Sequence, residues 1–303
     1  MATGSTIFAS DYVAIQDKAQ ALLGIGSGNR GYGQVVQSSD VFVGNEITKD
    51  QWDLLRYDII NIRLHQDGVL PNIVTVNRGD PIIFGASHPN TNYNTLIETA
   101  IANKFQVAGN QSVVSSKGSV NYSSPWNNSA QFTLTITGVG ATNVEKADNL
   151  RYFFNSGGKI RISSSLSGGS GTAQVNAWTN VLTSVGTRSF GADTDPSVNY
   201  YTLTNSFQTY FQQSLSTPYS ANNYRLEART DVANNSTGTA TTLFLRVTLS
   251  DAYIDTQPFP PGDLVDGTLT ISIEELKASG TMVPSGSFTI TSPTYSLSSI
   301  TAT

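Results

Sequence analysis

Apolar residues recur at helical spacing in the first third of the chain and at alternate positions over most of the remainder. From Asp11 to Leu23, Tyr12, Ile15, Ala19 and Leu22 share one face, and Gly24 follows, which predicts a helix ending there. Thr48-Lys-Asp-Gln51 has the form of a capping box, with Ile47 and Trp52 placed as its hydrophobic staple. Behind it Trp52, Leu55, Ile59 and Ile62 line one helical face, and Gly68 marks the end. A third helix is predicted from Tyr93 to Phe105, and Asn72 to Asn77 suits a short strand or extended arm.

From Ser129 onward the period is two. Phe132, Leu134 and Ile136 alternate with threonines, and the pattern returns in Tyr224/Leu226/Ala228, Leu243/Leu245/Val247/Leu249, Leu269/Ile271/Ile273 and Phe288/Ile290. Strands of this kind, bounded by Gly, Asn, Asp and Pro, predict an antiparallel sandwich. A short helix is expected at 177–185. The stretch 150–164 has an aromatic run, then Asn155-Ser-Gly-Gly158, then Lys159-Ile-Arg-Ile162, which matches a β-hairpin. The expected fold is therefore mainly β: a helical and extended region at 1–110, a polar linker at 111–128 and a β-sandwich at 129–303. No fixed-period repeat suggests a solenoid or propeller.

Composition narrows the function classes. Only 13% of the 303 residues are charged, against about a quarter in ordinary soluble domains, so Ser, Thr, Asn, Gln and Gly are expected to carry the solubility. Net charge is −5 from 17 basic and 22 acidic side chains, with no basic run, which argues against binding nucleic acid. No apolar stretch approaches the roughly 20 residues of a membrane span, and residues 1–10 have neither the basic nor the apolar region of a secretory signal. With no cysteine, disulfides, thiolate metal sites and thiol nucleophiles are excluded.

Candidate chemistry is sparse. Gly26-Ser-Gly-Asn-Arg-Gly31 matches G-x-G-x-x-G, but a helix precedes it and a Gly/Gln-rich segment follows, so a flexible helix-exit loop is expected rather than a dinucleotide site. His65 and His88 have no partner at metal-ligand spacing and are expected to be structural; His65 lies near a helix C-terminus, where a cation or donor is favoured. No G-x-S-x-G elbow supports a catalytic triad. Asp251, Asp255, Asp263 and Asp266 suit either Ca²⁺ ligation or solvation of a Pro-rich loop, without EF-hand spacing. Glu274 and Glu275 follow a strand, and one of them must face outward; a glycosidase would need two carboxylates flanking a cleft. Tyr200, Tyr201, Phe207, Tyr210 and Phe211 gather among polar residues, and suit a sandwich core or an interface or glycan patch.

Several stretches carry a resemblance: Leu22 to Gln34 (LLGIGSGNRGYGQ), Trp52 to Gly68 (WDLLRYDIINIRLHQDG), Arg151 to Ile162 (RYFFNSGGKIRI), Val265 to Thr270 (VDGTLT) and Ile290 to Leu297 (ITSPTYSL). Through them the chain resembles, from about residue 10 to 303, a family of structural proteins of T4-like cyanophages and related myophages. The resemblance implies a non-enzymatic virion component of the tail, neck or a fibre. It also implies assembly in the host bacterial cytoplasm, contact with other virion proteins and a homo-oligomer. It supplies no catalytic residue, cofactor or metal. Host surface polysaccharide is the partner implied by the alternative reading, a receptor- or carbohydrate-binding module.

Overall fold

Thr48 caps its helix as the spacing predicts. Its hydroxyl accepts from Gln51 N, and the Gln51 side chain accepts from Thr48 N at 2.8 Å. In this computed structural model, described over residues 9–42, 44, 46–73, 75, 92–254 and 264–303, the helices are α1 (Ala9–Leu23), α2 (Lys49–Asp67), α3 (Tyr93–Ala102), α4 (Asn143–Asn155) and α5 (Ala173–Val185). The strands are β1 (Ser112–Tyr122), β2 (Ser129–Thr137), β3 (Lys159–Ser167), β4 (Arg188–Phe190), β5 (Gln208–Ser214), β6 (Asn223–Thr230), β7 (Thr242–Ser250), β8 (Thr268–Thr281), β9 (Ser287–Thr289), β10 (Thr294–Leu297) and β11 (Thr301–Ala302). Part of the arm expected at 72–77 lies outside the described residues, as do His88, Asp255 and Asp263.

Two compact units form, and their boundaries differ from the expected division. The first comprises Met1–Val113, Arg151–Gly158 and Lys277–Thr291; the second comprises Val114–Leu150, Lys159–Leu276 and Ser292–Thr303. Two stretches of the expected sandwich region, Arg151–Gly158 and Lys277–Thr291, thus join the helical region. The expected linker also contains β1, whose polar sequence hid it: neither face alternates cleanly, because every residue of β1 is half-buried or exposed.

In the first unit, one ring from each helix meets the next. Tyr12 of α1 stands edge-on to Trp52 of α2, and Trp52 edge-on to Tyr93 of α3, both at 5.2 Å. The predicted apolar face of α2 is buried. A second, polar stripe of the same helix, Asp58, Asn61 and His65, is buried beside it. Its spacing of i, i+3 and i+7 puts these three residues on one helical face. Asp58 accepts from Gln37 N (2.9 Å) and Ser38 N (2.8 Å), while Asn61 exchanges two hydrogen bonds with the Val283 backbone at 2.7 and 3.0 Å.

The expected hairpin at 150–164 is instead helix, turn and strand. Thr142-Asn-Val-Glu145 is a capping box: Glu145 N donates to Thr142 Oγ1 (3.2 Å), and Thr142 N to the Glu145 carboxylate (3.0 Å). The helix it starts ends in a Schellman motif. Gly158 N donates to Phe153 O (2.9 Å) and Gly157 N to Phe154 O (3.2 Å), with Gly157 left-handed at φ 82°. Only the departing strand was legible, with Ile160 and Ile162 buried and Lys159 and Arg161 on the other face.

The second unit is the antiparallel sandwich expected of the period-two segments. One sheet has the order β1-β8-β3-β4, the other β10-β2-β7-β6-β5, with β11 beside β2. Register aligns the alternating apolar residues: Phe132 and Leu226 both face Val247, and Ile162 faces Ile273. Four of the five period-two sets are buried here, whereas Phe288 and Ile290, expected in the sandwich, are buried in the first unit, with Phe288 on β9. Ser164 of β3 and Tyr224 of β6 share a buried hydrogen bond of 3.0 Å across the layers. α5 packs on β3 and β5, with Trp178 against Trp126 at 5.4 Å.

Candidate functional site

The five aromatics between 200 and 211 do not form one platform. Asn199 caps a single 3-10 turn, Tyr200–Thr202, accepting from Tyr201 N at 3.0 Å, and this sinks Tyr200 into the core. Asn235 then donates to Tyr200 O at 2.8 Å, while Tyr201 lies edge-on to the Tyr200 ring. A bulge at Tyr210 shifts the β5 register, so Tyr210 and Phe211, though adjacent in sequence, are both half-buried. Tyr210 packs on Phe190 (5.0 Å), and Arg188 covers the face of Phe211 (4.0 Å). Burial raises the Tyr210 phenol well above its ordinary pKa. Phe207 lies under Arg246 (3.9 Å), within reach of Arg229 (5.1 Å), and Arg246 is held in turn by Glu227 (2.7 Å). Cation–π stacking of this kind occupies the ring face that a sugar would need.

Glu274 and Glu275 point to opposite faces of β8, as strand alternation requires. Glu274 pairs with Arg161 at 3.2 Å. Glu275 is fully buried, where Tyr295 OH (2.6 Å), Ser292 Oγ (2.8 Å) and Lys117 Nζ (3.1 Å) surround its carboxylate. Burial, then the adjacent Glu275 charge, pushes the Tyr295 phenol pKa up. A sheet separates the two carboxylates, so they do not flank a cleft.

The acidic residues near the Pro-rich loop also act separately. Asp251 is buried and accepts from Gln174 Nε2 at 2.6 Å; Asp266 accepts from Ser170 N and Oγ, both at 2.9 Å, which holds its carboxyl below the usual range. Among the described residues no group of three His, Asp or Glu side chains is arranged to hold a metal ion.

The G-x-G-x-x-G segment follows α1 as a loop, but it is anchored. Arg151 donates to Ile25 O (3.0 Å) and Arg30 O (2.8 Å), and Asn155 donates to the carbonyls of Gly28, Arg30 and Gly31 at 3.0–3.2 Å. An anion cradle presents N–H groups; this loop presents carbonyls to a guanidinium and an amide. His65, two turns beyond Asp58, is buried and stacked on Phe288 at 4.1 Å and 6°. Burial drives its pKa down to about 3, so the imidazole is neutral rather than the cation that a helix C-terminus favours.

A groove of about 470 Å³ runs between α5 and residues 213–219. On α5 its wall is the stripe 173, 176, 177, 180, 181 and 184, at i, i+3, i+4, i+7, i+8 and i+11. Sequence reading missed it, because the core-facing residues of α5 gave the stronger signal. Comparison of the chain with protein-family models, with curated proteins and with solved structures finds no match.

Proposed function

We propose that the chain is a non-enzymatic structural subunit of a bacteriophage virion, a tail or neck component that assembles through its N-terminal region and its strand edges. The resemblance noted above suggests the particle, and one structural observation supports assembly: β1. This edge strand is 11 residues long, and β8 is its neighbour in the sheet order. Soluble monomers blunt such edges with charge, proline or a cover. β1 holds no proline, and its one charged residue, Lys117, is turned to Glu275. Val113 and Val114 are each 44% exposed.

The irregular segment after α1 supports the same reading in the first unit. Ile25, Val35 and Phe42 are 71%, 79% and 73% exposed, and a hollow of about 600 Å³ opens beside Asp17, Gln20, Ile25, Val36 and Asp40. Large apolar side chains left in water suit a surface that a neighbouring subunit covers. A separate glycan patch at Tyr200–Phe211 has less support, since arginines cover two rings and the core takes a third.

The test is composition of purified particles. Quantitative mass spectrometry of phage purified through a density gradient should recover the chain at a fixed stoichiometry to the other virion proteins. Recovery only in the soluble lysate would refute the proposal.

A further inference from the structure

We propose that the outer face of the six-stranded sheet binds a carboxylated polysaccharide through a ladder of arginines and phenylalanines. The apolar residues of β6 and β7 point inward, so Arg225, Glu227, Arg229, Phe244 and Arg246 stand on the opposite face. Register sets Arg229 beside Phe244 and Glu227 beside Arg246. The Arg229 guanidinium lies over the Phe244 ring at 4.0 Å and reaches Phe207 at 5.1 Å, while Arg246 covers Phe207 at 3.9 Å. Cations and rings therefore alternate across the face. Beneath them Glu227, only 5% exposed, holds Arg246 Nε at 2.7 Å and faces Arg225 Nε at 3.4 Å.

This arrangement suits a carboxylate. Stacking occupies the ring faces and fixes the guanidinium planes, so a ligand meets the N–H edges of the arginines, the geometry that binds carboxylates in bidentate fashion. Positive charge is also in surplus. Among the described residues the three arginines share one carboxylate, that of Glu227, on a chain whose net charge is −5. The surplus lies on Arg229, which contacts two rings.

Hydroxyls continue the same face and point to a sugar rather than a peptide. One row across four strands reads Ser296, Thr135, Phe244 and Arg229; the next has Thr133 beside Arg246. Thr133 and Thr135 are half-buried and Ser296 is exposed. Hydroxyls both donate and accept, as those of a sugar do. A uronate offers a carboxylate to the arginines and hydroxyls to this row, whereas an acidic peptide matches the arginines alone. From β10 to β6 the row spans about 14 Å, room for an extended oligosaccharide.

Titration calorimetry of the full chain at low ionic strength tests the proposal, with hexagalacturonate as probe and maltohexaose and a hexaglutamate peptide as controls. Hexagalacturonate should bind at least tenfold more tightly than either control, and added salt should weaken it. Arg229→Gln and Thr135→Glu, which sets a negative charge in the row, should each weaken binding at least tenfold with unchanged circular dichroism. Arg161→Gln, on β3 of the other sheet, makes the same change of net charge as Arg229→Gln and should bind as the wild type does. Silence from hexagalacturonate would overturn the proposal, as would wild-type affinity in both Arg229→Gln and Thr135→Glu. Equal binding of hexaglutamate would assign the face to an acidic peptide instead, and an equal loss in Arg161→Gln would reduce the binding to overall charge.

Discussion

His65 is neutral in the fold and charges freely once the chain unfolds, so protons favour the unfolded state. The folded pKa is lowered to about 3 from an ordinary 6.5. Stability from this residue is therefore complete above about pH 6.5 and falls as pH drops towards 3. Between pH 6.5 and 4.5 the loss is about 2–3 kcal/mol, at 1.36 kcal/mol per unit. Asp58 works in the other direction: burial raises its pKa, so its contribution to stability grows as pH falls. Urea unfolding of the wild type and of His65→Phe at several pH values isolates the histidine, because Asp58 is common to both. The wild type should lose stability relative to the variant on acidification; parallel profiles would contradict the neutral, buried imidazole. Asn155 is the second residue on which the first unit depends. Asn155→Ala leaves three loop carbonyls without its amide, and should cost about 2–4 kcal/mol in urea unfolding. A cost below half a kcal/mol would show the loop to be held by Arg151 alone.

At the scale of elements, the end of α4 is where sequence and fold part. Asn-Ser-Gly-Gly serves equally as a hairpin turn and as a Schellman stop, and the aromatic run before it suits either a strand or a helix. The T-x-x-E box at 142–145 decides the matter, 13 residues upstream of the turn at its start. Gly157 then has two reasons to be glycine: its left-handed φ, and a Cβ that would meet Val107 Cγ1 at 2.8 Å and Phe105 O at 2.9 Å. Gly168 has only the first, at φ 70° with open space around it. Gly168→Ala should cost about 1 kcal/mol and Gly157→Ala clearly more, by thermal or urea unfolding. Equal costs would mean that the α4 turn has room to relax. Strand alternation and the Thr48 cap were legible because each is a local signal. The polar stripe of α2 and the grip of Arg151 on the Gly26–Gly31 loop were not, since their partners lie 20 to more than 200 residues away. β1 escaped notice for a different reason: a strand exposed on both faces has no hydrophobic period to detect.

Across the whole molecule, the low charge content has two destinations rather than one. Composition suggested that Asn and Gln solubilise the surface, yet Asn61, Gln66, Gln111, Asn155, Gln174, Asn222 and Asn235 are buried. Within each unit such amides satisfy irregular backbone: Asn155 donates to the loop carbonyls of Gly28, Arg30 and Gly31, and Asn222 accepts from Ala252 N and Tyr253 N. Extended segments are thereby fixed without regular secondary structure. Among the described residues β1 has one strand neighbour, β8, and assembly through its other edge is the central claim. Sedimentation velocity of the full chain across a concentration series, beside the double variant Val114→Lys, Ser116→Lys, tests it most directly. The wild type should associate as concentration rises, while the variant, with two added charges on that edge, should remain monomeric with unchanged circular dichroism. A wild type that stays monomeric throughout, or a variant that associates equally well, would contradict it.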